Sequence, residues 1–143
     1  MSTREQAIAA AAAHFDSGQY FHELQRRIAR RTESDTGQAP PALTDYLQDD
    51  IVPSLQAMGF DCQLLPNPVA HAGPFLIARR VESEHLPTVL TYGHGDVVSG
   101  QDGSWRAGLS PWALTVEGER WYGRGTADNK GQHSINFAAL AHT

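Results

Sequence analysis

The chain has 143 residues, 41% of them hydrophobic and 19% charged, with 11 basic against 16 acidic side chains and a formal charge of −5. That length suits one ordinary domain and not two, and the composition is that of a soluble globular protein. No Lys/Arg-rich stripe is present to neutralise phosphates, no apolar run reaches membrane-spanning length, and the single cysteine, Cys62, allows no internal disulfide, which argues against nucleic acid and membrane partners and for a reducing, cytoplasmic location.

Residues 3–15 predict a helix on alanine propensity, broken by Asp16-Ser17-Gly18. The alanine run lacks the Leu-rich core and cleavage site of a signal peptide. Ser17 is expected to cap a second helix with Phe21, Leu24 and Ile28 at helical spacing. Arg26-Arg27 and Arg30-Arg31, near its C-terminal end, are expected to be solvated and to complement the helix dipole. Residues 32–41 have loop chemistry. A third helix is predicted from about Ala42, with Leu43, Leu47, Ile51 and Leu55 on one face, a kink or break at Pro53, and a stop at Gly59 where Phe60 folds back.

Residues 60–65 and 75–82 read as strands separated by Pro66-Asn67-Pro68 and Gly73-Pro74, with Cys62 as packing material. Residues 88–92, Thr-Val-Leu-Thr-Tyr, are more continuously apolar, as expected of a strand covered on both faces in a mostly parallel sheet. A glycine-containing loop follows, then a hairpin over residues 113–116 and 120–122 turning at Glu117-Gly118-Glu119. The last helix is expected from about Asn129, with Ile135, Ala138 and Ala139 on one face. The three tryptophans are expected to close the core and a site rim rather than to stack a ligand.

Two stretches carry chemistry. His94 and Asp96, two residues apart beyond the apolar strand, leave the same face of an extended backbone and can touch one another or one ion. A glycine-rich turn, Gly123-Arg124-Gly125, then delivers Asp128 to a helix start. Taken singly these residues leave other readings open: a hydrogen-bonded histidine for His94, a helix N-cap for Asp128. A phosphate-binding loop at residues 123–131 is disfavoured, since the Lys-Ser/Thr ending is missing.

Together, Tyr92-Gly93-His94-Gly95-Asp96-Val97-Val98 and Gly123-Arg124-Gly125-Thr126-Ala127-Asp128-Asn129-Lys130-Gly131-Gln132 resemble, in order, both halves of the N-terminal signature of a zinc-dependent metallopeptidase and deacylase family. That family includes carnosinase-type dipeptidases, acetylornithine deacetylase, succinyl-diaminopimelate desuccinylase and glutamate-releasing carboxypeptidases. Thr32-Glu33-Ser34, Ala57-Met58-Gly59-Phe60 and the segment from Trp105 to Trp112 extend the resemblance over most of the chain.

The resemblance implies an α/β fold, part of a three-layer α/β/α catalytic domain with a mostly parallel central sheet. It implies two divalent metal ions, zinc in first place with cobalt or manganese as alternatives. His94 would ligate one ion and Asp128 bridge both; Asp96 would serve catalysis by holding the His94 imidazole in its tautomer, direct ligation remaining open. Arg124, Asn129 and Lys130 would support the site: Arg124 by stabilising the turn, Lys130 by charge or hydrogen bonding, and Asn129 through a cis peptide after Asp128. His133 has no counterpart role and reads as a solvent or packing residue. The implied reaction is hydrolysis of a peptide or N-acyl amide bond by water, on a small peptide or N-acyl amino acid, in a homodimer. The second stretch looks closer to the dipeptidases than to the desuccinylases.

The sequence departs from the family in one respect that matters for catalysis. No adjacent Glu pair occurs, so the expected general base and a further ligand are missing, as are a last His ligand and the lid and dimerisation domain. Residues 1–143 are therefore read as the truncated N-terminal part of a catalytic domain, inactive alone and with apolar surface uncovered. The alternative is a non-catalytic remnant that binds metal weakly or joins a partner through exposed core.

Overall fold

The computed structural model describes residues 3–34 and 40–142. Helix α1 (Arg4–Asp16) begins with a reciprocal cap: the Gln6 amide donates to Thr3 Oγ1 while the Thr3 amide donates to Gln6 Oε1. Ser17 stands one residue before the N-cap of the second helix, where its hydroxyl accepts the Gln19 amide at 3.5 Å. Its hydroxyl turns back to the His14 carbonyl, and Gly18, at φ 81°, makes the entry to α2 (Gln19–Ala29), because the reversal between the helices needs a left-handed residue.

The buried face of α2 is Tyr20, Leu24, Arg27 and Ile28, with Phe21 half-buried beside it. Arg27 corrects the expectation of a solvated basic end: it is 1% exposed. Its guanidinium donates to Asp50 Oδ1, Ser134 Oγ and Ser54 Oγ, so the cost of removing the charge from water is offset by an ion pair and two hydroxyls. Arg26 reaches the same carboxylate at 2.8 Å.

The third helical stretch runs as α3 (Pro41–Tyr46), a wider π turn (Leu47–Ile51) and α4 (Val52–Gln56). The break comes just before Pro53, where the Val52 amide reaches back to the Leu47 carbonyl. Gly59, at φ 81°, ends α4, and the Phe60 amide closes onto the Leu55 carbonyl. Of the expected loop, residues 35–39 lie outside the described residues.

Strands β1 (Asp61–Leu65) and β2 (Phe75–Arg79) pair antiparallel, Asp61 opposite Arg79 and Leu65 opposite Phe75. Strands β3 (Thr115–Glu117) and β4 (Arg120–Tyr122) form the expected hairpin, turning at Gly118 with φ 59°. These two small sheets are the only ones among the described residues. The mostly parallel central sheet is not among them. Residues 88–92 have no strand neighbour, and Val89, Leu90 and Tyr92 are 82%, 92% and 83% exposed. A ladder needs a second extended segment to take its amides and carbonyls, and among the described residues none lies alongside. The nearest approach to parallel pairing is a single bridge between Glu33 and Val97.

Helix α5 (Lys130–Ala141) separates two apolar clusters. Tyr20, Leu24, Ile28 and Leu114 pack with Trp121 and Ala138 on one side; Tyr46, Ile51 and Leu55 pack with Cys62 and Phe137 on the other. Ile135, expected on the buried face, is 60% exposed, because Lys130, His133 and Ser134 hold the inward positions instead. The tryptophans pack within the chain: Trp121 stacks on Phe15, Trp105 Nε1 donates to the Gly100 carbonyl, and Trp112 lies under the Arg31 guanidinium.

Candidate metal centre

Two loops meet where α5 begins. The first is the stretch 93–97, held against Thr32–Ser34 by backbone bonds from Val97 N to Thr32 O at 2.9 Å and from Ser34 N to Val97 O at 3.0 Å. Gly95 is required here: a Cβ would stand 2.6 Å from the Tyr46 ring beneath it. The second is the turn 123–129, in which the Asp128-Asn129 peptide is cis. The turn presses so closely on α5 that a Cβ at Gly131 would lie 1.8 Å from the Thr126 carbonyl oxygen.

The structure brings His94 and Asp128 together, with His94 Nε2 3.0 Å from Asp128 Oδ1. On the other side of the ring, Nδ1 lies 3.1 Å from both Asp96 Oδ1 and the Asp96 carbonyl oxygen. Two acceptors on that side favour a proton on Nδ1, which would leave the Nε2 lone pair facing a carboxylate oxygen. Two acceptors opposed in this way need a cation or a proton between them. Donors bound at about 2.0–2.1 Å to one ion at tetrahedral angles stand roughly 3.3–3.4 Å apart, a few tenths of an ångström beyond the 3.0 Å seen here, so the pair would hold a divalent ion of the zinc type after a small side-chain rotation. Asp128 is open to such a ligand, its side chain 82% exposed. Among the described residues no group of three His, Cys, Asp or Glu side chains converges on one position.

Asn129 links the two loops. Its side-chain carbonyl accepts the His94 amide at 3.1 Å, setting the distance between the two ends of the pair. Lys130 points away from the ion position. It is buried, and its ammonium donates to the carbonyls of Arg27 at 2.9 Å and Arg30 at 2.6 Å, closing the C-terminal end of α2 over the face of Tyr46. Burial pushes this ammonium down to about 7, against the Asp50 charge. Arg124 also faces elsewhere: its amide donates to the Pro111 carbonyl and its guanidinium covers the Trp105 ring.

His133 packs beneath the site, bonded through Nε2 to the Tyr46 hydroxyl and tilted against Phe137. Burial lowers its imidazole to about 4, helped by the charges of Arg27 and Lys130. A cleft of about 740 Å³ opens beside His94, walled by Leu43, Leu47, Ile51, Leu76, Tyr92 and Phe137.

Reading the sequence residue by residue assigned no role to Ser34 or Thr32. Ser34 Oγ donates to Asp96 Oδ2 at 2.7 Å, and Thr32 Oγ1 to the Gly95 carbonyl at 2.6 Å. Their presence in the resembling segment Thr32-Glu33-Ser34 was the only available signal.

Residues 90–143 match Peptidase family M20/M25/M40. The chain is 40% identical over 88 residues to succinyl-diaminopimelate desuccinylase of Gluconobacter oxydans, an alignment covering 61% of this chain and 22% of that protein. It is 42% identical over 72 residues to the Beta-Ala-His dipeptidase of Mus musculus, covering 50% and 13%. Its fold superposes on a di-peptidase from Saccharomyces cerevisiae with a TM-score of 0.79 at 21% identity, over 95% of this chain and 30% of that one. The chain thus aligns with less than a quarter of the length of these two curated relatives. The two identities do not separate desuccinylase-like from dipeptidase-like sequences.

Proposed function

We infer, from a chain whose residues 90–143 belong to Peptidase family M20/M25/M40, that the protein carrying it hydrolyses the amide bond of a small peptide or N-acyl amino acid with the help of divalent metal ions. The observation that carries this reading is the opposition of His94 Nε2 and Asp128 Oδ1 at 3.0 Å, with Nδ1 held by Asp96. His94 and Asp128 would hold the ions, zinc in first place, with Asp128 shared between two. A bound ion of this type polarises an amide carbonyl and acidifies a water.

The chain's own residues make the site ready. Asp96 would accept a hydrogen bond from Nδ1–H and so keep the Nε2 lone pair turned outward. Its two oxygens are already engaged by His94 and Ser34, which favours an orienting role over ligation. Asn129 ties the two loops through the His94 amide, and Lys130 anchors the start of α5 to α2.

In the whole protein the remaining ligands and the general base would come from residues beyond this sequence. The exposed segment 88–92 would there join a parallel sheet between helical layers, and the intact cytoplasmic protein would be a homodimer. The competing reading, a non-catalytic chain that binds metal weakly, draws on the presence of only two converging donors among the described residues. Metal analysis and amide hydrolysis by the whole protein decide between them. His94→Ala and Asp128→Ala are each expected to lose zinc affinity and hydrolysis by more than the ~100-fold that outer-shell changes cost. Full metal content and activity in both variants would sink the proposal.

A further inference from the structure

We propose that Ser34 is a positioning residue that sets the tautomer and orientation of the His94 imidazole through Asp96. This rests on the reading of His94 as a metal ligand. A carboxylate on a strand-like loop rotates broadly about its last torsion, so Asp96 by itself does not define where its oxygens point. Here they are divided: Oδ2 accepts from Ser34 Oγ at 2.7 Å, and Oδ1 lies 3.1 Å from His94 Nδ1.

Ser34 is in turn fixed by backbone pairing. Its amide donates to Val97 O, Val97 N donates to Thr32 O, and the fully buried Thr32 holds the Gly95 carbonyl. Glu33 completes the clamp by accepting the Gly100 amide at 2.8 Å. Three consecutive residues thus bond to positions 95, 96, 97 and 100, around the loop that carries His94. Within this clamp only the Ser34 side chain meets the carboxylate that faces the ring. Removing its hydroxyl frees Asp96 to turn toward water, which leaves only the Asp96 carbonyl on Nδ1 against the Asp128 carboxylate on Nε2 and tips the ring proton toward Nε2.

The test uses the whole protein, metal-free and 15N-labelled at histidine, at a pH about two units above the ordinary histidine value. Long-range proton–nitrogen correlations report which ring nitrogen carries the proton, the His94 signals being those lost in His94→Gln. Wild type is expected in the Nδ1–H form. Ser34→Ala should shift His94 toward the Nε2–H form and weaken zinc binding, read by chelator competition, by about 10-fold or more. Ser34→Thr, which keeps the hydroxyl, should restore both. An unchanged spectrum and unchanged zinc affinity in Ser34→Ala would overturn the proposal, as would a Thr variant that behaves like Ala. If His94→Ala keeps its zinc, the metal reading falls while the imidazole spectrum still decides the role of Ser34.

Discussion

Two polar clusters meet at the start of α5 and are built on opposite plans. In the first, Arg27, Asp50, Ser54, Ser134 and Lys130 are packed inside the chain. The Arg27 guanidinium has three side-chain acceptors, the Lys130 ammonium has two carbonyls, and Asp50 receives Arg26 as well. In the second, His94, Asp96 and Asp128 stand at the surface, with a carboxylate oxygen at each nitrogen of one imidazole. The first cluster is closed and has no donor position to offer a ligand. The second leaves acceptors opposed at the surface, where a cation or a proton can stand between them. Charged groups thus hold three helical segments together in one place and stand open to solvent a few residues away.

Stability measurements should separate the two plans. The largest effect is expected at the closed cluster: Asp50→Ala leaves the buried Arg27 charge without its carboxylate and should cost about 3–5 kcal/mol in chemical denaturation. A loss under about 1 kcal/mol would mean that the cluster is hydrated or rearranges.

Acid should produce the next effect. The folded-state value of His133, about 4, lies below its ordinary 6.5, so between these values the unfolded chain binds more protons than the folded one. Stability is then lost as pH falls through that window. Going from pH ~7 to pH ~4.5 should cost about 2–3 kcal/mol on this account. His133→Gln, which keeps an acceptor for Tyr46 but does not titrate, should lose that part of the pH dependence.

The open cluster should show the smallest stability change. With its side chain 82% exposed, Asp128 pairs with His94 in solvent, and Asp128→Ala should alter metal-free stability by less than about 1 kcal/mol. A large loss there would make Asp128 a structural cap and would blur the contrast between the clusters.

What could be read along the chain follows the range of the interaction. The stop at Gly59, the turn at Gly118 and the helix entered after Asn129 are decided by a few neighbouring residues, and each stands where the sequence predicts it. Arg27 was misread although it sits at helical spacing from Tyr20 and Leu24, on the inward face. The charge argued for solvent, and only a partner 23 residues away, Asp50, makes burial tolerable. Ile135 was misplaced for the complementary reason: the inward positions of α5 had been given to polar groups whose partners lie on α2 and α3. Residues 88–92 carry the composition of a buried strand, yet composition cannot create the neighbouring strand that a ladder requires.

By itself the amino-acid order determined the helix ends, the two hairpin-forming strand pairs as separate extended segments, and the pairing of His94 with Asp96, because alternation along an extended chain puts them on one face. Tertiary structure alone decided that Asp128, 34 residues from His94, meets its other ring nitrogen, and that Ser34, 62 residues from Asp96, donates to the other carboxylate oxygen. The physical reason is distance along the chain: local conformation is set by backbone sterics and adjacent side chains, whereas these meetings exist only once α5 has docked and the segment 32–34 has paired with 95–97.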